Sequence, residues 1–522
     1  MVSTTTEKHI EPSESSHSQD VEAGLPEKTK GFSVAETIEP GIGAPEYVPE
    51  WRRRILAFER KVGIEAQGAS RVLPEARDYK AKAWQTAEVW LSANTVLPTF
   101  GVGILGPAIF GLGLGDSLIC TFFFNIIVAA IPAYFSIFGV KTGLRQMIVT
   151  RYMWGWWGTK LVALLNLIAC VGWSTINCIA GAQTLRVVAD LNISHAVGIV
   201  IIAVVTLLLG LIGYRYIHYF DRFAWMPVFI VFIIMLGMTA HDYVNTPFAT
   251  GITETAGVLS FASTIWGFGL GWASLASDYV VYFPEETPSI QVFLWTYVGL
   301  LVPLVFVMSL GAAVMCAALA HESWLAQYDA EELGGLLGAA LGLGGWPKFL
   351  MVILVLSVVA NNIINVYSFG FSFAAISPKF TYLPQFVYPV LITAIYIPIS
   401  IVGATSFVTS LESFMDVLGA WLSIYATVFL AEHIVFRKAN FKNYDLTAYN
   451  DASRLPIGLA AFASGCCGAV GAITGLAQVW WVGPIAKTMG PFGGDVSWLL
   501  CILFTLVPFL PLRYLELKYV GR

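Results

Sequence analysis

Residues 357–372 read SVVANNIINVYSFGFS, placing three asparagines and three serines in one of the most apolar parts of the chain. A carboxamide taken from water into an apolar medium without a partner costs roughly 2–7 kcal/mol, so these groups must bind something. On an α-helix Ser357, Asn361, Asn365, Ser368 and Ser372 recur at intervals of four, four, three and four, and form one polar stripe. For Asn365 and the serines, hydrogen bonding between helices is sufficient, at about 0.6 kcal/mol per contact in a membrane. Asn361 and Asn362 differ, because neighbours lie about 100° apart and cannot share a helix face. The expected division is that one amide braces interrupted backbone and the other faces a ligand.

A second constellation lies in NLIACVGWSTINCIAGAQTL, where Trp173 and Asn177 are four apart and share a face, with Asn166 and Gln183 elsewhere on the helix. An indole beside a carboxamide suits a flat polar heterocycle. The ring stacks, and the amide offers both a donor and an acceptor. Trp266, Phe268 and Trp272 are candidates for an opposite plate, with at least one expected only to pack. This is the chemistry of recognition. H-E-x-x-H, G-x-S-x-G and Walker A motifs are absent, so neither an enzyme nor a cofactor or metal site is expected. A passive channel would want a ring of polar groups along a pore, whereas one localised amide cluster fits alternating access.

The scaffold that must position these residues is set by composition. Of 522 residues, 57% are hydrophobic and 12% charged, with mean hydropathy +0.71, against about 25% charged in soluble domains. The chain reads as an all-α polytopic membrane protein. Apolar runs long enough to span a bilayer number about twelve, centred near Gly101, Val128, Cys170, Val204, Ile230, Gly269, Val305, Asn361, Ala394, Ser423, Gly468 and Leu503. Residues 1–83 are mostly polar and contain no apolar signal-peptide core, so the N-terminus is expected to be cytoplasmic and its start disordered. The segments KTGLRQMIVTRYMWGWWGTK, YRYIHYFDR and FRKANFKNYDLTAYNDASR then face inward. Of 29 Lys and Arg, only Arg186, Lys348 and Lys487 fall outside, in keeping with the positive-inside rule.

The resulting plan is a cytoplasmic tail (1–83), a ten-span core (84–435), an inner loop (436–454), accessory spans eleven and twelve (455–513) and a short inner C-terminal tail (514–522). Both termini are cytoplasmic. The formal net charge of −5 forms no concentrated patch away from the membrane flanks, so the bilayer is a partner and nucleic acid is not. All seven cysteines fall in apolar runs without C-x-x-C spacing and are read as packing residues. Asn192-Ile193-Ser194 is a glycosylation sequon in a short outer loop.

Two spans look interrupted. The first, WLSANTVLPTFGVGILGPAIFG, carries Pro98, Gly101, Gly103, Gly106 and Pro107; the sixth, STIWGFGLGWASLASDY, carries Gly267, Gly269 and Gly271. Close helix packing through small residues would explain either alone. Their matching positions at the start of two five-span blocks point instead to an inverted repeat with a midplane substrate site. Among charged residues, Asp278 is read as a cap or gate at the inner end of span six. For Glu88, Glu412, Asp416, Glu432 and His433, solvated or snorkelling positions are the simpler expectation.

Four segments, WLSANTVLPTFGVGILGP, GLRQMIVTRYMWG with NLIACVGWSTINCIAGAQ, GWASLASDYVVYFPEETP and ANNIINVYSFGFS, together resemble the fungal purine-cytosine permeases of the nucleobase:cation symporter family. The resemblance runs from about Trp51 to the C-terminus. It implies a LeuT-like five-plus-five core with two accessory helices, and proton-coupled uptake of cytosine, adenine, guanine or hypoxanthine at the plasma membrane. It further implies substrate contacts at Ser92, Trp173, Asn177, Trp272, Asn361 and Asn362, with Phe268, Asn166 and Ser357 in support. One departure is Ile364, where such permeases often carry proline two residues after the paired asparagines, and a related branch takes up pyridoxine. Sodium-coupled proteins of this fold hold the ion with two adjacent hydroxyls on span eight; matched on Asn362, those positions are Leu356 and Ser357. A hard cation needs a full set of oxygens, so the leucine favours a proton, with Glu88, Asp278 and Asp416 as candidate carriers.

Overall fold

The computed structural model describes residues 70–522 apart from 213, 246–249, 378 and 381–382, and apart from the side chains of 212–222. The expected N-terminal tail therefore lies almost wholly outside the described residues. Sixteen helices follow in order: α1 (Gln85–Asn94), α2 (Leu97–Ala108), α3 (Leu114–Val128), α4 (Ala130–Thr142), α5 (Gln146–Val149), α6 (Arg151–Val188), α7 (His195–Ile212), α8 (Tyr214–Thr239), α9 (Ile252–Gly271), α10 (Ser289–Ala320), α11 (Glu322–Leu341), α12 (Gly345–Ile376), α13 (Val387–Val402), α14 (Phe407–Ala431), α15 (Leu459–Gly475) and α16 (Ser497–Val520). A two-strand hairpin, β1 (Ala477–Gln478) and β2 (Trp481–Val482), lies between α15 and α16. Each of the twelve run centres falls within one of these helices. Among the described residues eight segments qualify as spans by length and hydropathy, the bent pair α1–α2 makes a ninth, and α7, α13 and α15 are shorter apolar helices.

The first span breaks where its sequence allows. Val96 is extended (φ −145°, ψ 163°), and Pro98 sits in the first turn of α2, where its missing N–H is not needed. Two side chains close the end of α1: Asn94 Nδ2 donates to Trp90 O (2.9 Å) and Thr95 Oγ1 to Leu91 O (2.7 Å). The axis turns by 54° between the halves. The glycines of this span are not at the break. A Cβ on Gly103 would lie 1.9 Å from the Met308 carbonyl oxygen of α10, so its role is close helix approach.

Span six departs from expectation. Helix α9 runs unbroken through Gly267 and Gly269, and the chain passes into 3₁₀ turns only at Trp272–Ser274 and Ala276–Tyr279. A Cβ on Gly267 would lie 2.0 Å from the Met415 carbonyl oxygen of α14, and one on Gly269 2.4 Å from Val128. These glycines let three helices touch backbone to backbone or backbone to valine, and the interruption belongs to the span's end.

Further corrections concern the ends of the bundle. Most of residues 514–522 are helical, because α16 continues to Val520, held by an Arg513–Glu432 ion pair (2.8 Å) and by Glu516, which accepts from Gly458 N (3.0 Å) at the start of α15. Glu412, Asp416, Glu432 and His433 are all buried instead of solvated: Gln478 and Thr264 bond the first two, Arg513 of α16 holds Glu432, and Tyr134, Phe138, Phe441 and Tyr444 surround His433. Five cysteines are buried, but Cys466 and Cys467 face outward from α15. Helix α11, unforeseen in the sequence, bends at Glu331 and Glu332, whose carboxylates hold Arg186 (2.7 Å) and Gln183 (2.8 Å) of α6.

Candidate functional site

The break in span one exposes backbone carbonyls at membrane depth, and such groups must find partners inside the protein. Asn361 Nδ2, from α12, donates to Ala93 O, the next-to-last residue of α1 (2.6 Å). Asn361 Oδ1 in turn accepts from Asn177 Nδ2 of α6 (2.8 Å), which also donates to Trp173 O (2.9 Å). A backbone carbonyl can only accept, so the two carbonyls at the ends of this chain fix the orientation of both amides. One amide atom of the pair is left over: Asn177 Oδ1, buried and without a donor among the described residues. The site therefore offers an incoming molecule an acceptor.

The aromatic wall follows the same elements. The Trp173 ring meets Phe268 of α9 edge to face (centroids 5.1 Å, 87°) and Phe414 of α14 likewise (5.5 Å, 83°). It passes over Gly271, where a Cβ would lie 3.3 Å from the indole. Phe268 is thus a buttress at right angles to Trp173, and not a parallel plate. Trp272, the next residue after Gly271, donates from Nε1 to Asn94 Oδ1 (2.8 Å) and packs edge-on against Trp90 (5.3 Å). Trp90 meets Tyr279 in the same way (5.8 Å), and the Tyr279 hydroxyl reaches Ser368 Oγ (3.3 Å).

The structure thus brings Trp173, Asn177, Asn361 and Phe268 together and ties Trp272 to the broken helix. Ser92 is buried on α1 without a bond to the amide pair. Asn362 is fully buried beside the Tyr396 hydroxyl of α13, and neither of its side-chain polar atoms has a hydrogen-bond partner among the described residues. Trp266 only packs, stacked on Trp498 (4.4 Å, 29°) with Nε1 donating to Ser423 Oγ (2.9 Å). Asn166 pairs with Ser372 Oγ (2.8 Å), and Ser357 Oγ bonds Leu354 O within its own helix (2.6 Å). Leu356, 47% exposed, points out of the bundle.

Of the acids, Asp278 Oδ1 accepts from Gln146 N (2.7 Å) at the start of α5, and its backbone carbonyl accepts from Arg145 Nη1 (2.6 Å). That is the geometry of a cap joining span six to the span two–three loop. Glu88 is half-buried near the start of α1, and Asp416 lies in a separate cluster on α14. Among the described residues no group of three or more His, Cys, Asp or Glu could hold a metal ion.

The sequence reading missed Trp90, Asn94 and Phe414. A signal for two of them was present: Trp90 and Asn94 repeat the four-residue spacing of Trp173 and Asn177, and Asn94 Nδ2 donates to Trp90 O just as Asn177 does to Trp173 O.

Comparison with known proteins assigns this arrangement. The family described as permease for cytosine/purines, uracil, thiamine, allantoin matches residues 73–500. The purine-cytosine permease fcyB of Emericella nidulans is 39% identical over 90% of this chain and 92% of its own length. A purine-cytosine permease of Saccharomyces cerevisiae, FCY2, is 37% identical over 89% and 88%. A vitamin B6 transporter of the same yeast is 31% identical over 97% of both chains. Among solved structures, the nucleobase-cation-symport-1 transporter Mhp1, closed with bromovinylhydantoin bound, superimposes with TM-score 0.64 at 12% identity over 88% of this chain and 96% of that one. The fold is therefore the LeuT-like transporter fold. With its family match and relatives above 35% identity, the chain belongs to the cytosine/purine permease family, in its fungal purine-cytosine branch, and is a membrane transporter.

Proposed function

We propose that this protein imports cytosine or a 6-aminopurine across the plasma membrane, coupled to protons, with both termini cytoplasmic. The observation that carries the substrate reading is the hydrogen-bond chain from Ala93 O to the open Asn177 Oδ1 beside the Trp173 indole. A base with an exocyclic amine donates to that oxygen while its ring lies along the aromatic wall; uracil would set its 4-carbonyl oxygen against it. A polar site of this kind can reject an analogue lacking the donor by as much as 10⁴–10⁵. The fungal relatives are purine-cytosine permeases, in agreement with nucleobases. Proton coupling is supported by α12: of Leu356 and Ser357, the positions matched to the two sodium-holding hydroxyls, Leu356 has no hydroxyl and points out of the bundle, and Ser357 Oγ bonds Leu354 O within its own helix.

A second reading, pyridoxine, is favoured by the vitamin B6 relative. Competition of radiolabelled cytosine uptake by unlabelled cytosine, adenine, uracil and pyridoxine decides between them. Displacement by adenine and not by uracil is expected. Saturable pyridoxine uptake with no nucleobase uptake overturns the substrate reading, and loss of uptake on replacing Na⁺ by choline overturns the proton.

A further inference from the structure

Far from the amide pair, three carboxyl groups meet between α9, α14 and the loop that joins α15 to α16. Asp416 is wholly buried, nine residues into α14, or about 14 Å from its start. Its Oδ1 accepts from Thr264 Oγ1 of α9 (3.1 Å) and its Oδ2 from Gln478 Nε2 (2.7 Å). The same Gln478 nitrogen donates to Glu412 Oε1 (3.0 Å), one turn earlier on α14. Asp495 completes the group, accepting from Ser263 Oγ of α9 (3.0 Å), Ser497 Oγ (2.7 Å) and Ala477 N (2.9 Å).

The charges bearing on Asp416 are Asp495 and Glu412, both negative; α9 contributes only the hydroxyls of Ser263 and Thr264, and α16 the Cys501 thiol beside Asp495. The three buried carboxylates have no cation beside them among the described residues, so they lose hydration and repel one another, and a proton on the cluster relieves that cost. A second feature points to the same ligand. Gln478 is 3% exposed, and its Oε1, on the carboxamide wedged between Glu412 and Asp416, has no donor among the described residues. A proton on a neighbouring carboxyl supplies one. Asp495, beyond the end of the spans, has its carboxyl raised by burial above the ordinary range.

The cluster is also joined to the substrate wall. Thr264 lies one turn before Phe268, and Asp416 two residues after Phe414, and both rings abut Trp173. Between them Gly267 and Met415 bring α9 and α14 into backbone contact. We propose that Asp416, within the cluster of Glu412, Asp495 and Gln478, binds the coupling proton. Outer water delivers H⁺ to the carboxylate, giving the neutral acid, and the same O–H bond breaks when the proton leaves to the inner side. The exchange changes what Asp416 offers Thr264 and Gln478, and thereby the contact of α9 with α14 on which Trp173 rests.

This inference depends on the proton-driven reading above, and the test separates the two. The full chain is reconstituted in vesicles and given an inward proton gradient. Wild type should accumulate labelled cytosine. Asp416→Asn, which imitates the protonated acid, should exchange labelled for unlabelled cytosine yet accumulate at least tenfold less. Glu412→Gln removes one like charge, so its uptake should reach half-maximum about one pH unit lower than wild type. If wild type ignores the proton gradient, the coupling reading fails. If wild type responds and Asp416→Asn accumulates equally, or Glu412→Gln leaves the pH profile unmoved, the assignment to Asp416 fails. The Glu412→Gln profile decides alone should Asp416→Asn not reach the membrane. Accumulation that follows a Na⁺ gradient at fixed pH also overturns it.

Discussion

A carboxamide has an acceptor end and a donor end, and at Asn177 and Asn361 the backbone decides which end is free. Asn361 gives its donors to the broken helix and its oxygen to Asn177, so its duty is structural first. Replacing Asn361 by alanine leaves Ala93 O and an Asn177 donor unpaired, at about 1–3 kcal/mol each; surface level and KM should both suffer. Asn361→Asp is the sharper variant, since it keeps the shape but sets an acceptor against Ala93 O, and it should be as damaging as Asn361→Ala. Near-normal surface level and KM for Asn361→Asp would show that the brace does not exist. Asn177→Ala removes the open acceptor and should raise KM for cytosine roughly 2- to 13-fold, the equivalent of 0.5–1.5 kcal/mol, while the protein still reaches the membrane. Asn362→Ala should leave KM within about twofold, because that amide faces Tyr396. The adjacency of Asn361 and Asn362 was enough to put them on different faces, and of the expected division the structure displays the brace, at Asn361. Adjacency could not say which residue was the brace, because a 100° step fixes the angle between two side chains and not the rotation of their helix in the bundle.

At the scale of elements, glycine and proline in an apolar run have two meanings that sequence does not separate. Pro98 marks the break of span one, whereas Gly103 and Gly267 mark places where another backbone comes within reach. The periodic cue is the same in both cases, and only the partner helix distinguishes them. This is why the expected mid-span break of span six is absent, while hydropathy alone was enough to centre each apolar run on a helix. Two alanine substitutions test the distinction. Gly267→Ala drives a methyl to the Met415 carbonyl and must part α9 from α14, so thermal stability of the purified protein should fall by about 1–3 kcal/mol. Gly237→Ala, on α8 with nothing within 4 Å, should instead be neutral or stabilising by about 0.4–1 kcal/mol. Equal effects from the two would mean that helix propensity and not backbone contact sets the need for glycine.

For the whole molecule, the question is what α15 and α16 contribute to a helical core that already holds the amide site. Hydropathy identified these helices but gave no sign of how they dock, because the docking residues are charged side chains whose burial is set by their partners. Arg513 clamps Glu432 at the end of α14 with two bonds (2.8 and 3.0 Å), and Arg437 meets the same carboxylate (3.2 Å). Glu516, one turn on, caps the start of α15 through Gly458 N and Leu459 N. Near the other end of α16, Trp498 stacks on Trp266 of α9. The accessory pair is therefore fastened to both helices, α9 and α14, that carry the wall behind Trp173. Arg513→Met should leave Glu432 buried with one cation in place of two and cost up to about 3–5 kcal/mol, the range for breaking a buried pair. The double variant Arg513→Met with Glu432→Leu removes the stranded charge and should recover much of that loss. Melting of the purified proteins measures both, and KM for cytosine in the fraction that reaches the membrane should stay near wild type, since neither residue touches the amide pair. A double variant no more stable than Arg513→Met would place the value of the clamp in its geometry and not in charge pairing, and a raised KM in either would mean that the accessory helices shape the substrate site directly.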